Sequence, residues 1–367
     1  MRLRRSARVG EPASGLDGGV TIRARIEGGS RLKPRTLGTT GVEVPAVQLG
    51  CGNFGGIGSL KSLIGRGLDR QQAFAALDEA LALGIDVLDT AERYADGESE
   101  RAIGAWLASR PEAATAHIRI ATKVMPPSLE DAGGGRFDRR HIERRLATSL
   151  ERLGRERVTF YLSHAPEPAT PIEETLDGFA SVVESGRVDH VGCCNVTPEQ
   201  LLEAVDAAHR LGVTGFEWVQ NGFSLLFPAQ DREVRAICRE RGLGYTPFSP
   251  LAGGVLTGKY RRDEPYPPGS RLNLRPEGVA DRLVGPVYDA LDSLQQFAAA
   301  RGVSCAALSL AWVMSHADCT APVVGPSRTA PHLGHVAQAL DITLTPEEHA
   351  LLAGWFEAAT TPRQTVP

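Results

Sequence analysis

Between residues 70 and 360 the hydrophobic positions follow two alternating rhythms. The stretch 70–83, RQQAFAALDEALAL, carries its apolar residues at helical spacing, and Gly84 ends it as a glycine just past a helix C-terminus. A short apolar run, 87–88, then reads as a buried strand and is followed by a helix over 99–107. The same unit recurs as strand 118–123 with helix 139–153, strand 158–162 with 172–184, and strand 188–192 with 198–211. Strand 216–220 precedes helix 230–241, and strand 244–247 precedes a long loop over 252–286. Helices over 287–300 and 306–316, a strand at 321–324 and a terminal helix opening at Thr345-Pro346 complete the pattern. Ahead of the repeat, 35–37 and 42–44 are extended pieces split by Gly38 and Gly41, which predicts a small hairpin, and 47–50 reads as the first strand.

Eight strands alternating with helices predict a parallel sheet. That number, with no linker inside 34–360, predicts closure as a (β/α)8 TIM barrel, a single α/β domain with an N-terminal β-hairpin and extra C-terminal helices. Residues 1–33 differ. MRLRRSARVG is arginine-rich, and the turn-rich run after it lacks apolar periodicity. A targeting or nucleic-acid-binding arm is one reading. No hydrophobic segment follows the arginines, so the reading taken here is a disordered extension.

Composition adds exclusions rather than a function. A net charge of −4 gives no global positive field for nucleic acid or an anionic membrane. No apolar run reaches the ~18 residues of a membrane span. The six cysteines show neither CxxC nor Cys/His metal spacing, so no metal site is predicted and reduced thiols in a cytoplasmic protein are expected.

In a barrel of this kind chemistry sits at the C-terminal ends of the strands. Asp89 ends the second barrel strand, and Tyr94 follows in its loop. Lys123 ends the third, and His164 the fourth. Taken singly, each has a bland reading: a turn carboxylate, a solvated lysine, a hydrogen-bonded loop histidine. Together, on three consecutive strand ends, they suit proton transfer to a carbonyl. A lysine ending an apolar strand must find an acid or lose its charge, and Asp89 lies on the neighbouring strand. Its cation is expected to lower the phenol of Tyr94 from about 10, making it a general acid. His164 is expected to hydrogen-bond the carbonyl oxygen or share the relay. Gly50-Cys51-Gly52-Asn53-Phe54-Gly55 spells GxGxxG after a strand, but helical periodicity resumes only near Arg70, so a Rossmann dinucleotide site is rejected.

The segments LGTTGVEVPAVQLGCGNFGG, GIDVLDTAERYADGESE, IATKV, FYLSHAPEPATPIEETLDG, VGCCN, VQNGFSLL, TPFSPLAGGVLTGKY and VVGPSR follow in an order that resembles the aldo-keto reductases. The resemblance spans residues 34–357. It implies Tyr94 as general acid, tuned by Lys123 and Asp89, with His164 orienting the carbonyl. It also implies an extended nicotinamide dinucleotide at the barrel mouth. Asn195 and Gln220 would hold the carboxamide, and Phe248 would stack on the nicotinamide. Gly52 and Asn53 would lie by its ribose, and Ser249, Leu251 and the glycine-rich loop up to Lys259 over the pyrophosphate. Gly325, Ser327 and Arg328 would grip the 2′-phosphate, favouring NADPH while leaving NADH open. Phe54, with Tyr94, His164 and the loops after the first, fourth and seventh strands, would wall the pocket for a small carbonyl or alcohol substrate.

Several positions depart from the family pattern. Cys194 stands where a serine is common, and its weaker donor would loosen the carboxamide. The Cys193-Cys194 pair admits a redox-switch reading, although a strand-end substitution is preferred. Asn53 replaces a frequent threonine, Phe248 a usual tyrosine, and Pro331 and His335 the usual adenine contacts. Two other functions remain open from sequence: a cofactor-sensing subunit with the same barrel, and a Schiff-base aldolase built on Lys123. Self-association is also left open.

Overall fold

The computed structural model describes residues 32–127, 135–277 and 279–360. Most of the expected N-terminal extension lies outside the described residues. Leu32, within that extension, is buried in the main core.

The hairpin pairs β1 (Arg35–Thr36) antiparallel with β2 (Glu43–Val44). The barrel strands are β3 (Gln48–Gly50), β4 (Val87–Asp89), β5 (Arg119–Val124), β6 (Val158–Ser163), β7 (Val188–Cys194), β8 (Trp218–Gln220), β9 (Gly244–Tyr245) and β10 (Val323–Val324). They lie in the order β10-β3-β4-β5-β6-β7-β8-β9, and every pairing is parallel. A parallel bridge from Phe248 to Val323 and a hydrogen bond from Val323 N to Pro247 O at 2.8 Å join the last strand to the first.

Two apolar cores separate at the strands. The larger one lies between the sheet and the helices, as alternating side chains dictate. The smaller fills the barrel interior and contains Val87, Ala121, Phe160, Leu162, Cys194 and Trp218, with Leu37 and Val44 of the hairpin. The hairpin is therefore a plug in the N-terminal end of the barrel. Gly38 is required there: it has φ +52°, and a Cβ would stand 2.3 Å from Gly244 N and 2.4 Å from Glu217 O.

Helices match the periodicity with small shifts at their ends. Arg70–Ala82 starts at an Asp69–Gln72 capping box, and Arg139–Leu153 runs from the Asp138 cap to Gly154 at φ +62°. The expected helix over 230–241 opens instead at Arg232, because Asp231 adopts φ +56°. The long loop after β9 holds a short helix, Arg271–Leu274, which its mixed polar sequence did not predict.

Candidate active site

Strand register explains why three of the four singled-out residues converge. Asp89 pairs with Ala121, and Lys123 lies two residues further along β5 on the same face. Lys123 pairs with Leu162 of β6, two residues before His164. Tyr94 enters from above, on the short 3-10 turn Tyr94–Gly97 that follows β4.

Lys123 and Asp89 are both buried, at 1 % exposure each. Lys123 Nζ donates to Asp89 Oδ1 at 2.6 Å and to Thr90 O at 2.9 Å, and it lies 3.4 Å from the Tyr94 hydroxyl. Gln220 Nε2 donates to Asp89 Oδ2 at 2.8 Å, so both carboxylate oxygens are satisfied. An ion pair this deep survives only when the remaining donors and acceptors are matched. The Tyr94 and His164 rings meet edge to face with centroids 5.4 Å apart, and both residues are half-buried.

The electrostatics correct one expectation. Tyr94 is not lowered: burial pushes its phenol up to about 12, Lys123 pulls it down, and Asp89 pushes it up. Asp89 cancels much of the lysine's field, so burial wins and the phenol stays protonated. Burial opposes the Lys123 cation, but Asp89 and then Tyr94 outweigh it, and its pKa is raised. Burial, then Lys123 and Arg93, lower His164 to about 3, so its ring is neutral. The site thus holds a neutral phenol, a neutral imidazole and a locked cation. A Schiff-base lysine must give up its proton, and Lys123 is held in the opposite state, which removes the aldolase reading.

The expected cofactor residues fall into two groups. On one side, Asn195 is exposed at φ +60° and donates through Nδ2 to His164 O at 2.9 Å. Phe248 is half-buried, Ser249 is exposed at φ +55°, and both line a groove of ≈ 520 Å³ with Asn195. Leu251 is half-buried behind them, and Lys259 crosses the face of Tyr260 at 5.2 Å. On the other side, Asn53 Nδ2 donates to Pro326 O at 3.1 Å, tying the loop after β3 to the loop after β10. Gly325 and Arg328 are exposed, Ser327 is half-buried, and Arg328 Nη1 donates to Gly269 O at 2.9 Å. Gly52 is bare beneath Tyr94, whose ring would lie 3.4 Å from a Cβ there.

Two placements differ from expectation. Phe54 is fully buried and bridges Leu68 through its backbone, so its ring belongs to the core beneath the loop and not to an open pocket wall. Gln220 is 3 % exposed and spends its amide N–H on Asp89, a partner not foreseen for it. The two adjacent thiols lie in opposite cores, Cys193 outside the sheet and Cys194 inside, and burial raises both. A vicinal redox switch has no geometry here.

The groove also contains Arg271, Arg275 and Glu277. Arg271 lies in the loop after the seventh strand, expected from sequence to wall the pocket, and Arg275 was missed; scattered arginines in a loop carry no spacing signal. Neither has an acidic partner among the described residues. Burial and then Arg275 lower Arg271, because the two cations share a groove and neither is ion-paired. Asn53 Oδ1 is buried without a partner. Unpaired cations, an orphaned amide oxygen and an accessible aromatic face fit a dinucleotide.

Fold and site together define a parallel-barrel protein with a tyrosine hydroxyl at the mouth beside a buried Lys–Asp pair. The aldo/keto reductase family model matches residues 47–355, and the chain belongs to that family, which supports an oxidoreductase activity. It is 32% identical over 320 residues to the uncharacterized oxidoreductase YrpG of Bacillus subtilis, covering 85% of this chain and 92% of that one. It is 31% identical over 338 residues to L-glyceraldehyde 3-phosphate reductase of Escherichia coli O157:H7, covering 87% and 91%. A probable voltage-gated potassium channel subunit beta of Arabidopsis thaliana is 30% identical over 308 residues, covering 81% and 88%. Among the described residues no single helix is long and apolar enough to cross a membrane.

Proposed function

We propose that this protein interconverts a small aldehyde or ketone and the corresponding alcohol with NADP(H). The observation that carries the reading is the 3.4 Å approach of the Lys123 ammonium, itself paired with Asp89, to the Tyr94 hydroxyl. When bound, the dinucleotide supplies or accepts the hydride. Asn195 and Phe248 would hold its nicotinamide end with Asn53 by that ribose, Ser249 would lie over the pyrophosphate, and Arg271, Ser327 and Arg328 would hold its phosphate-bearing end.

The chain's own residues handle the proton. Tyr94 keeps its proton across the neutral range and hands it from its hydroxyl to the carbonyl oxygen as negative charge develops there. Lys123 then stabilises the tyrosinate, which is where a locked cation does most good, since the charge appears only as the reaction proceeds. Asp89 and Gln220 keep the ammonium aimed at Tyr94. His164, neutral, orients the carbonyl by a hydrogen bond. In the reverse direction the phenolate takes the alcohol proton.

NADPH is favoured over NADH because Arg328 and Arg271 are cations without carboxylate partners, suited to a phosphate. The likeness to a channel subunit supports a second reading, cofactor sensing with little turnover. The complete Lys–Asp–Tyr arrangement favours turnover. Incubation with NADPH or NADH and a panel of aldehydes, aldoses and ketones separates the two: a sensor binds NADPH and oxidises none of it.

A further inference from the structure

Behind Tyr94 lies a second charged cluster, separate from the Lys123–Asp89 pair and without a role so far. Glu92 and Glu100 are buried, at 1 % and 0 % exposure. Glu92 accepts from Met125 N at 2.8 Å and from Arg145 Nε at 2.5 Å. Glu100 accepts from Thr122 Oγ1 at 2.6 Å and from Arg152 Nη1 at 3.2 Å. Arg152 Nη1 also donates to Glu92 O at 3.1 Å. Thr122 and Met125 flank Lys123 in sequence, so both carboxylates tie the Tyr94 segment to the strand that carries the lysine.

The turn they hold is strained. Ala95 and Asp96 have φ +49° and +57°, and Gly97 has φ +86°, three left-handed residues in succession directly after Tyr94. Such a turn persists only where its surroundings impose it. In front, Ala95 N donates to Gly58 O at 2.9 Å. Behind, the Arg152 guanidinium lies on Gly97, where a Cβ would come within 2.4 Å of its Cζ.

We infer that Arg152, acting through Glu92, Glu100 and Gly97, is a positioning residue that sets the Tyr94 hydroxyl against Lys123. This rests on the reading of Tyr94 as proton donor. Its consequence is selective: loosening Arg152 disturbs proton transfer while the cofactor groove, on the opposite strands, keeps its affinity.

The test compares Arg152→Met, Arg152→Lys and Thr122→Val. Protein labelled with 3-fluorotyrosine gives a readout that needs no substrate, and the Tyr94→Phe protein assigns Tyr94 among the six tyrosines. Arg152→Met is expected to shift or broaden the Tyr94 fluorine resonance. It should lower kcat roughly 10- to 100-fold, the effect of a misplaced reacting group, with KM and cofactor Kd within about twofold. Arg152→Lys should recover part of the loss, and Thr122→Val should act in the same direction more weakly. Should Arg152→Met not fold, Thr122→Val, which conserves volume, decides alone. An unchanged Tyr94 resonance and kcat beside a lower Tm would overturn the inference, leaving a structural ion pair. So would equal losses in kcat and cofactor affinity in folded protein. If the unmodified protein reduces no carbonyl, the proposed function fails, and the fluorine spectra still decide the positioning claim.

Discussion

Lys123 and Asp89 exchange a buried charge pair for the chance to place a cation under a phenol. Removing one partner leaves the other unpaired in an apolar interior, so Lys123→Met is expected to cost about 3–5 kcal/mol of stability, read by urea denaturation. A cost near zero would mean that water reaches Asp89. Tyr94→Phe touches no charge and should leave stability within about 1 kcal/mol, yet lower kcat/KM by roughly 10²–10⁴ through loss of the proton donor. With its phenol up near 12, Tyr94 gives carbonyl reduction no alkaline limb of its own across the neutral range. Alcohol oxidation, which needs the phenolate, should keep rising with pH up to the limit of stability. Stopped-flow rates in both directions check that asymmetry, and an alkaline limb in reduction near pH 8 would contradict it.

Elements carry a different division of labour. Strand ends on one side of the barrel present Asp89, Lys123 and His164, while the hairpin closes the other side. Gly38→Ala drives a Cβ into the backbone of Gly244 and Glu217, and overpacking of that kind costs about 1–3 kcal/mol. Cofactor affinity should be unchanged, because the plug lies at the far end of the strands from the site; a loss of affinity without a change in Tm would contradict this. Much of this was legible in sequence. Apolar runs alternating with amphipathic stretches gave the eight strands, and residue type at strand ends gave the four residues that the fold brings together. The register pairing Asp89 with Ala121 then brings Lys123 into reach. What stayed hidden depends on contacts across the fold. Phe54 follows a glycine turn and looked like a rim residue, but the turn folds its ring inward. The Glu92–Arg145 and Glu100–Arg152 pairs join residues more than 50 apart, and no local pattern announces them. The sign of the Tyr94 shift was unreadable for the same reason: it depends on how far Asp89 cancels Lys123 and how much water is excluded.

For the whole molecule, acid sensitivity follows from histidines kept neutral. Burial lowers His164 to about 3, and lowers His316 and His335 to about 4. These lie below the unfolded value of about 6.5, so unfolding takes up protons. The stability they contribute is complete above pH ~6.5 and is lost as pH falls toward 4 and then 3, at up to about 1.4 kcal/mol per pH unit for each histidine. Glu92 and Asp231, raised by burial, bind protons more tightly when folded and oppose part of that loss. Urea midpoints at pH 7, 6 and 5 should therefore fall progressively. A midpoint that stays level across this range would show that these histidines are protonated in the folded state.

The central claim is that Tyr94 donates the proton in a nicotinamide-linked carbonyl reduction. Loss of absorbance at the reduced nicotinamide band, with NADPH or NADH and a carbonyl panel, tests it most directly when Tyr94→Phe runs beside the unmodified protein. Turnover is expected to prefer NADPH and nearly vanish in Tyr94→Phe, with NADPH binding retained in both. Turnover that survives in Tyr94→Phe would contradict it, and so would an unmodified protein that binds no dinucleotide.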